Sequence, residues 1–340
     1  MTPQSPDTNP APSAPPTLAK ATQTPAEITD APTGITDATT GTADAPTGTA
    51  DAPTGIADAR VEARDPTTRA PDHPVEADTD AAFVRLIDAD ELRSWILHED
   101  EHVLAVCKPG DVVCHPSKHG PRSSLVGACR EYTGLETLHL VARLDRETSG
   151  IVVMAKHRGA ARTLQMALQE RRVAKTYHAL LTGEMAEAVT VNQPLAKDLD
   201  SPVAAKVTVR RSRSAQSAQT HFQPLAVANG FTLAEVLPHT GRKHQIRAHA
   251  QWLGHTVVAD KIYGPDDTLF LEFIEHGWTP RLAEALPMQR QALHCSRLHF
   301  AIEPPLSLTA ALPEDMAAFC QQVMRIPALP SAVPPAKPAP

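Results

Sequence analysis

An α+β fold, with a mixed, mainly antiparallel sheet flanked by helices, is predicted from three observations. Strand-like and helix-like segments follow one another irregularly, without the strict βαβ rhythm of a parallel sheet. Residues 82–325 carry globular patterning throughout, enough chain to bury one sizeable core. Outside them, residues 1–81 are rich in Ala, Thr, Pro and Asp, and residues 326–340 in Pro and Ala. Neither end can bury enough apolar surface to offset its chain entropy, so both are expected to be disordered.

The N-terminal arm repeats itself. DAPTGIT, DATTGTA, DAPTGTA and DAPTGIA begin at Asp30, Asp37, Asp44 and Asp51. A period of seven suggests a coiled coil, but the Pro and Gly in these units and the missing apolar a/d pair exclude one. Of the chain's 39 acidic and 32 basic residues, 13 and 4 lie in residues 1–80, leaving 26 and 28 in the remainder. The formal charge of −7 therefore belongs to the arm. The globular part is mildly basic, which permits a polyanionic partner. Five cysteines at irregular spacing fit a reduced compartment. With no apolar run of membrane length and no basic-then-apolar leader, the sequence reads as a cytoplasmic protein without a membrane partner.

Taken in order, the globular elements begin with an apolar segment and an acidic turn in WILHEDEHVLAVCKPG, then a strand at Val103–Cys107 closed by Lys108-Pro109-Gly110. ARLDRETSG leads into a strand at Ile151–Ala155. In RGAARTLQMALQERR, Ala161, Leu164 and Leu168 recur at helical spacing. Tyr177, Ala179 and Leu181 alternate along the strand VAKTYHALLTG, and FTLAEVL at 231–237 is a further strand. HTGRKHQIRAHAQWLGH predicts a helix with Thr240 as N-cap, Ile246, Ala250 and Leu253 as its buried stripe and Gly254 as terminator. Strand-like TVVAD and LHCSRLHFAIE and a last helix near Pro313–Met324 complete the series.

Three features carry possible chemistry. Asp145 stands between Arg143 and Arg146 at the mouth of an apolar strand. From the residues alone it is a surface ion pair, a structural lock or a catalytic carboxylate kept ionised by its neighbours. Gly241, Arg242, Lys243 and Arg247 sit at the predicted helix start, where basic side chains and free N–H groups suit phosphate. Tyr177 is either a packing residue or a platform for a base. Two Cys/His groupings, Cys107, Cys114, His115 and His119, and His294, Cys295 and His299, lack the paired spacing of structural zinc, so no metal is expected. Phosphate-loop, dinucleotide and serine-hydrolase motifs are absent.

In combination these blocks resemble the RluA-type pseudouridine synthases over roughly residues 93–322. VLAVCKPGDVVCHP, ARLDRETSGIVVMAK, KTYHALLTG and LPHTGRKHQIRAHAQWLGHTVVADKIYG are similar to the family's motifs in the family's order. The resemblance implies a single catalytic domain with a central RNA-binding cleft and an isomerase acting on uridines of structured rRNA or tRNA. It implies Asp145 as the catalytic aspartate, Tyr177 as the active-site tyrosine and Arg247 as the partner of the aspartate. Arg143 would support the flipped base, with Arg242, Lys243 and Lys108 as phosphate contacts. No cofactor is implied, and a monomer is the family's default. Two positions depart from the family pattern: Ala142 stands where His is usual, and Cys107 where Asn is usual. The small basic module of many relatives has no counterpart in the acidic arm. Competing expectations are a catalytically silent RNA-binding protein on the same scaffold and a sugar-processing enzyme using Asp145 with Glu147.

Overall fold

The computed structural model describes residues 85–115 and 120–326, so the repeat-bearing arm, His119 and the C-terminal tail beyond Ile326 lie outside the described residues. The strands are β1 (Ile96–Glu99), β2 (Val103–Lys108), β3 (His139–Leu140), β4 (Ser149–Ala155), β5 (Val173–Thr182) and β6 (Val189–Asn192). They continue with β7 (Leu195–Lys197), β8 (Val207–Val209), β9 (Gln219–Ala228), β10 (Phe231–Pro238), β11 (Leu293–Phe300) and β12 (Leu306–Thr309). The helices are α1 (Ala89–Ser94), α2 (Leu125–Thr133), α3 (Arg158–Gln169), α4 (Gln245–Trp252), α5 (Thr268–His276), α6 (Pro280–Ala285) and α7 (Glu314–Gln322).

The main sheet runs β1-β2-β4-β11-β5-β10-β9-β6, with β3 on β4 and β12 on β11; β7 and β8 pair separately. Within the described residues β4 and β11 are parallel and the other ladders antiparallel, the mixed sheet expected. The parallel seam depends on Gly150. Its φ is +115°, and a Cβ there would stand 2.3 Å from the Cys295 carbonyl oxygen, so only glycine lets the two backbones meet.

Every residue of β4 is buried, which explains its unbroken apolar run. Val152 and Met154 face α2 with Leu104 and Val106, while Ile151, Val153 and Ala155 face the opposite side with Ala161 and Leu164 of α3. Each such Val, Ile, Leu or Met side chain contributes about 1.5–3 kcal/mol when fully removed from water. In the other half, Ala179 and Leu181 of β5 pack with Ile246 and Ala250 of α4, and Leu180 faces Leu269, Leu282 and Phe319 of α5, α6 and α7. Tyr177 touches both the α3-side and the α4-side groups. Helices α3 and α4 therefore cover the same face of the sheet and leave a strip of β4, β11 and β5 open between them.

Two local expectations are corrected. Thr240 is not an N-cap: α4 begins at Gln245, after His244 in the left-handed region at φ 52°. The Thr240 hydroxyl donates to Gln245 Oε1 at 2.6 Å and accepts from the Gln219 N–H at 3.0 Å, so Gly241, Arg242 and Lys243 form a laced turn before the helix. The segment TVVAD is not a strand either. Val257 makes one isolated bridge to Leu181, and Ala259 at φ 59° turns the chain away. That turn aims Asp260 inward.

Candidate active site

The open strip forms the floor of a cavity of about 450 Å³. Leu168 and Gln169 of α3 wall one side and Ile246 and Arg247 of α4 the other; Ile151, Tyr177 and Cys295 lie beneath. The segment between β3 and β4 crosses this strip and brings Val141, Ala142, Arg143, Leu144 and Asp145 to the cavity. A turn closed by the Thr148 N–H donating to the Asp145 carbonyl at 3.1 Å then feeds β4.

Asp145, Tyr177 and Arg247, named from widely separated sequence blocks, line this one cavity. Arg247 Nη1 donates to Asp145 Oδ2 at 3.0 Å. Its other nitrogens grip Asp260 in bidentate fashion, Nε to Oδ2 at 2.6 Å and Nη2 to Oδ1 at 2.8 Å. Asp260 is wholly buried and also accepts from the N–H groups of Ile262 and Tyr263. The guanidinium lies 5.0 Å from the centre of the buried Tyr263 ring, whose hydroxyl accepts from the Val207 N–H and pairs with His244 Nδ1 at 3.1 Å. His244 Nε2 stands 3.9 Å from Asp145 Oδ2. One cation thus serves two carboxylates, and the one that faces the cavity keeps 31 % of its side chain exposed.

The electrostatics follow from that geometry. Burial would raise the Asp145 carboxyl, but His244 and Arg247 outweigh it and hold it at about 2. Burial pushes His244 down to about 4 against the pull of Asp145, so its imidazole is neutral at pH 7. For Tyr177, burial, the Cys295 thiol beside its hydroxyl and the Asp145 charge all raise the phenol well above its ordinary value, keeping it protonated. The site therefore presents an ionised, oriented carboxylate and a neutral phenol.

The remaining sequence-named residues separate. Arg143 and Arg242 are exposed at the rim, Arg242 donating to the Ser217 carbonyl at 3.1 Å; Lys243 is exposed in the same turn. Lys108 does not reach the cavity. It is fully buried, and its ammonium donates to the carbonyls of Pro109 and Arg146 at 2.8 and 3.0 Å, behind the Asp145 loop and out of reach of a phosphate. Burial pushes its pKa down to about 8. Glu147 is likewise no partner for Asp145. It faces a second cavity with Arg146, Trp278 and Arg290, where Oε1 accepts from Lys261 Nζ at 2.5 Å. Of the Cys and His side chains weighed for metal, His294 pairs with Ser149 and His299 with Ser307, and among the described residues no group of three or more His, Cys, Asp or Glu is placed to hold an ion. Among the same residues no helix is long and apolar enough to cross a membrane.

Residues 102–252 match the family description RNA pseudouridylate synthase. A Bacillus subtilis protein named uncharacterized RNA pseudouridine synthase YjbO is 35 % identical over 65 % of this chain and 74 % of its own. The chain belongs to the RluA-type RNA pseudouridine synthases. Ribosomal large subunit pseudouridine synthase C of Vibrio vulnificus is 32 % identical over 72 % of this chain and 73 % of its own. Among solved structures, human RNA pseudouridylate synthase domain containing 4 superposes with a TM-score of 0.56 at 26 % identity, over 69 % of this chain and 95 % of that one. Membership makes the protein an isomerase that acts on RNA. The synthase residues that reasoning from sequence missed are Asp260, His244 and Tyr263. The signal for the first was an acid directly after the apolar Val257-Val258-Ala259.

Proposed function

We propose that this synthase converts specific uridines of ribosomal or transfer RNA to pseudouridine, with Asp145 acting at the sugar. The observation that carries the reading is the Asp145–Arg247–Asp260 chain: a cavity-facing carboxylate held ionised by a buried cation that is itself anchored from behind. The reaction breaks the C1′–N1 bond of uridine, turns the detached uracil and joins C5 to C1′ with loss of the C5 proton. All atoms of the base except that proton, which is replaced at N1, are retained, so no group donor is needed. An ionised carboxylate serves either as nucleophile at C1′ or as base at the sugar. Tyr177, beside it on the floor, gives the base a stacking surface and stays a neutral proton donor. A uridine must leave its stack to enter, at a cost of a few kcal/mol, and the exposed Arg143 fills the vacated position. An RNA-binding protein without catalysis has no use for a carboxylate kept charged in a half-buried cavity.

Mapping pseudouridines in ribosomal and transfer RNA from cells with and without this chain tests the reading. One or more uridines should lose modification in the deletion strain and regain it with the wild-type gene. The relative from Vibrio carries the ribosomal large subunit in its name, so that RNA is the first to map. An identical pseudouridine map would reject the proposal.

The electrostatics predict the pH dependence. With Asp145 at about 2 and His244 at about 4, both are settled in one protonation state above pH 5.5. The single-turnover rate should change less than about threefold between pH 5.5 and 8 on their account. An acid limb centred near pH 6.5 would mean that a group other than Asp145 is the essential base. The depressed carboxyl stabilises the fold above about pH 4, and that contribution is lost as pH falls through about 2.

A further inference from the structure

Lys175 lies two residues before Tyr177 on β5, so both side chains leave the same face of the strand, and both line the cavity. Its neighbours there are already engaged: Arg247 by two carboxylates, Arg242 by the Ser217 carbonyl. Among the described residues the Lys175 ammonium has neither a hydrogen-bond nor an ion-pair partner. A half-buried cation without a counter-charge is unfavourable, and burial accordingly lowers its pKa. Such a group is maintained at a cost unless a ligand completes it.

Its position says which part of a ligand. Gly241 is exposed on the rim opposite, and a Cβ there would stand 3.3 Å from Lys175 Nζ. The backbone of Gly241 is outside the left-handed region, so conformation does not demand glycine at this place. The missing side chain instead leaves the ammonium open beside the exposed rim of the cavity. When a uridine enters, its base passes the mouth while its sugar–phosphate chain stays across it.

We propose that Lys175 binds a phosphodiester oxygen of the RNA strand beside the flipped uridine, with Gly241 keeping that approach clear. The inference rests on the catalytic reading above, and binding and conversion are therefore measured separately. Affinity for an in vitro transcript of large-subunit ribosomal RNA is measured at several salt concentrations in the Asp145→Asn background. Lys175→Gln should weaken binding about tenfold, the scale of one charge-assisted hydrogen bond, and should reduce the salt slope by about 0.7. Lys175→Arg should stay within about threefold, and Gly241→Ala, which crowds the ammonium without removing it, should lose about threefold. With Asp145 intact, the Lys175→Gln rate at saturating enzyme should fall less than about threefold. Circular dichroism on each variant separates these effects from misfolding, and wild-type conversion of the same transcript reports on the catalytic reading alone. Unchanged affinity and salt slope in Lys175→Gln would overturn the proposal. A lost rate at saturation with unchanged affinity would overturn it too, placing the ammonium on the base instead.

Discussion

Asp145→Asn should abolish pseudouridine formation, lowering the single-turnover rate by at least about 10⁴-fold, equivalent to about 5 kcal/mol of lost transition-state stabilisation. The substitution preserves shape and removes only the charge. Arg247 keeps both hydrogen bonds to Asp260, so the buried cation stays paired and the fold should hold, with a melting temperature within a few degrees of wild type. RNA affinity should remain within about threefold, because the basic rim at Arg143, Arg242 and Lys243 is untouched. The measurement is tritium release from C5 of labelled uridine, paired with filter binding. Residual activity within tenfold of wild type would remove Asp145 from the chemistry.

Asp260→Ala should act through stability and positioning together. Asp260 is wholly buried and supplies two of the three hydrogen bonds that orient Arg247. Its loss leaves a buried guanidinium held only by Asp145, the kind of broken pair that costs about 3–5 kcal/mol. At a temperature where the variant is still folded, its rate should be about 10²-fold lower, since Arg247 no longer has a fixed direction in which to hold Asp145. Denaturant unfolding and single-turnover kinetics check the two parts. A variant as stable as wild type would refute the anchoring role of Asp260.

The fold class and the long elements were legible because their patterns are strong. β4 is an unbroken apolar run, and α3 repeats Ala161 and Leu164 at helical spacing before Gly-free polar turns. The strand β9 was hidden by Pro224, which the structure seats at a bulge, where a residue unable to donate to the ladder is tolerated. Strand-like TVVAD misled because two consecutive valines carry β propensity whether or not a ladder exists, and one left-handed residue, Ala259, decides the matter. At the site, Asp145, Tyr177 and Arg247 could be named from blocks in the right order. Lys108 could not be placed, because a basic residue after an apolar strand looks the same whether its ammonium meets a phosphate or two carbonyls. Asp260 left only a faint mark, an acid after two valines and an alanine, and Tyr263 left none, because their importance is in whom they meet across the fold.

Asp260 and Lys261 are adjacent in the chain yet hold different partners: Asp260 grips Arg247, which holds Asp145, and Lys261 pairs with Glu147, two residues further on. The two ties fix one segment against the other. Moving the first segment by a single residue would put Leu144 or Arg146 where Asp145 meets Arg247, and moving the second would put Ala259 or Lys261 where Asp260 grips it. A one-residue insertion or deletion between 145 and 147, or next to 260, is thus expected to be lethal to the enzyme.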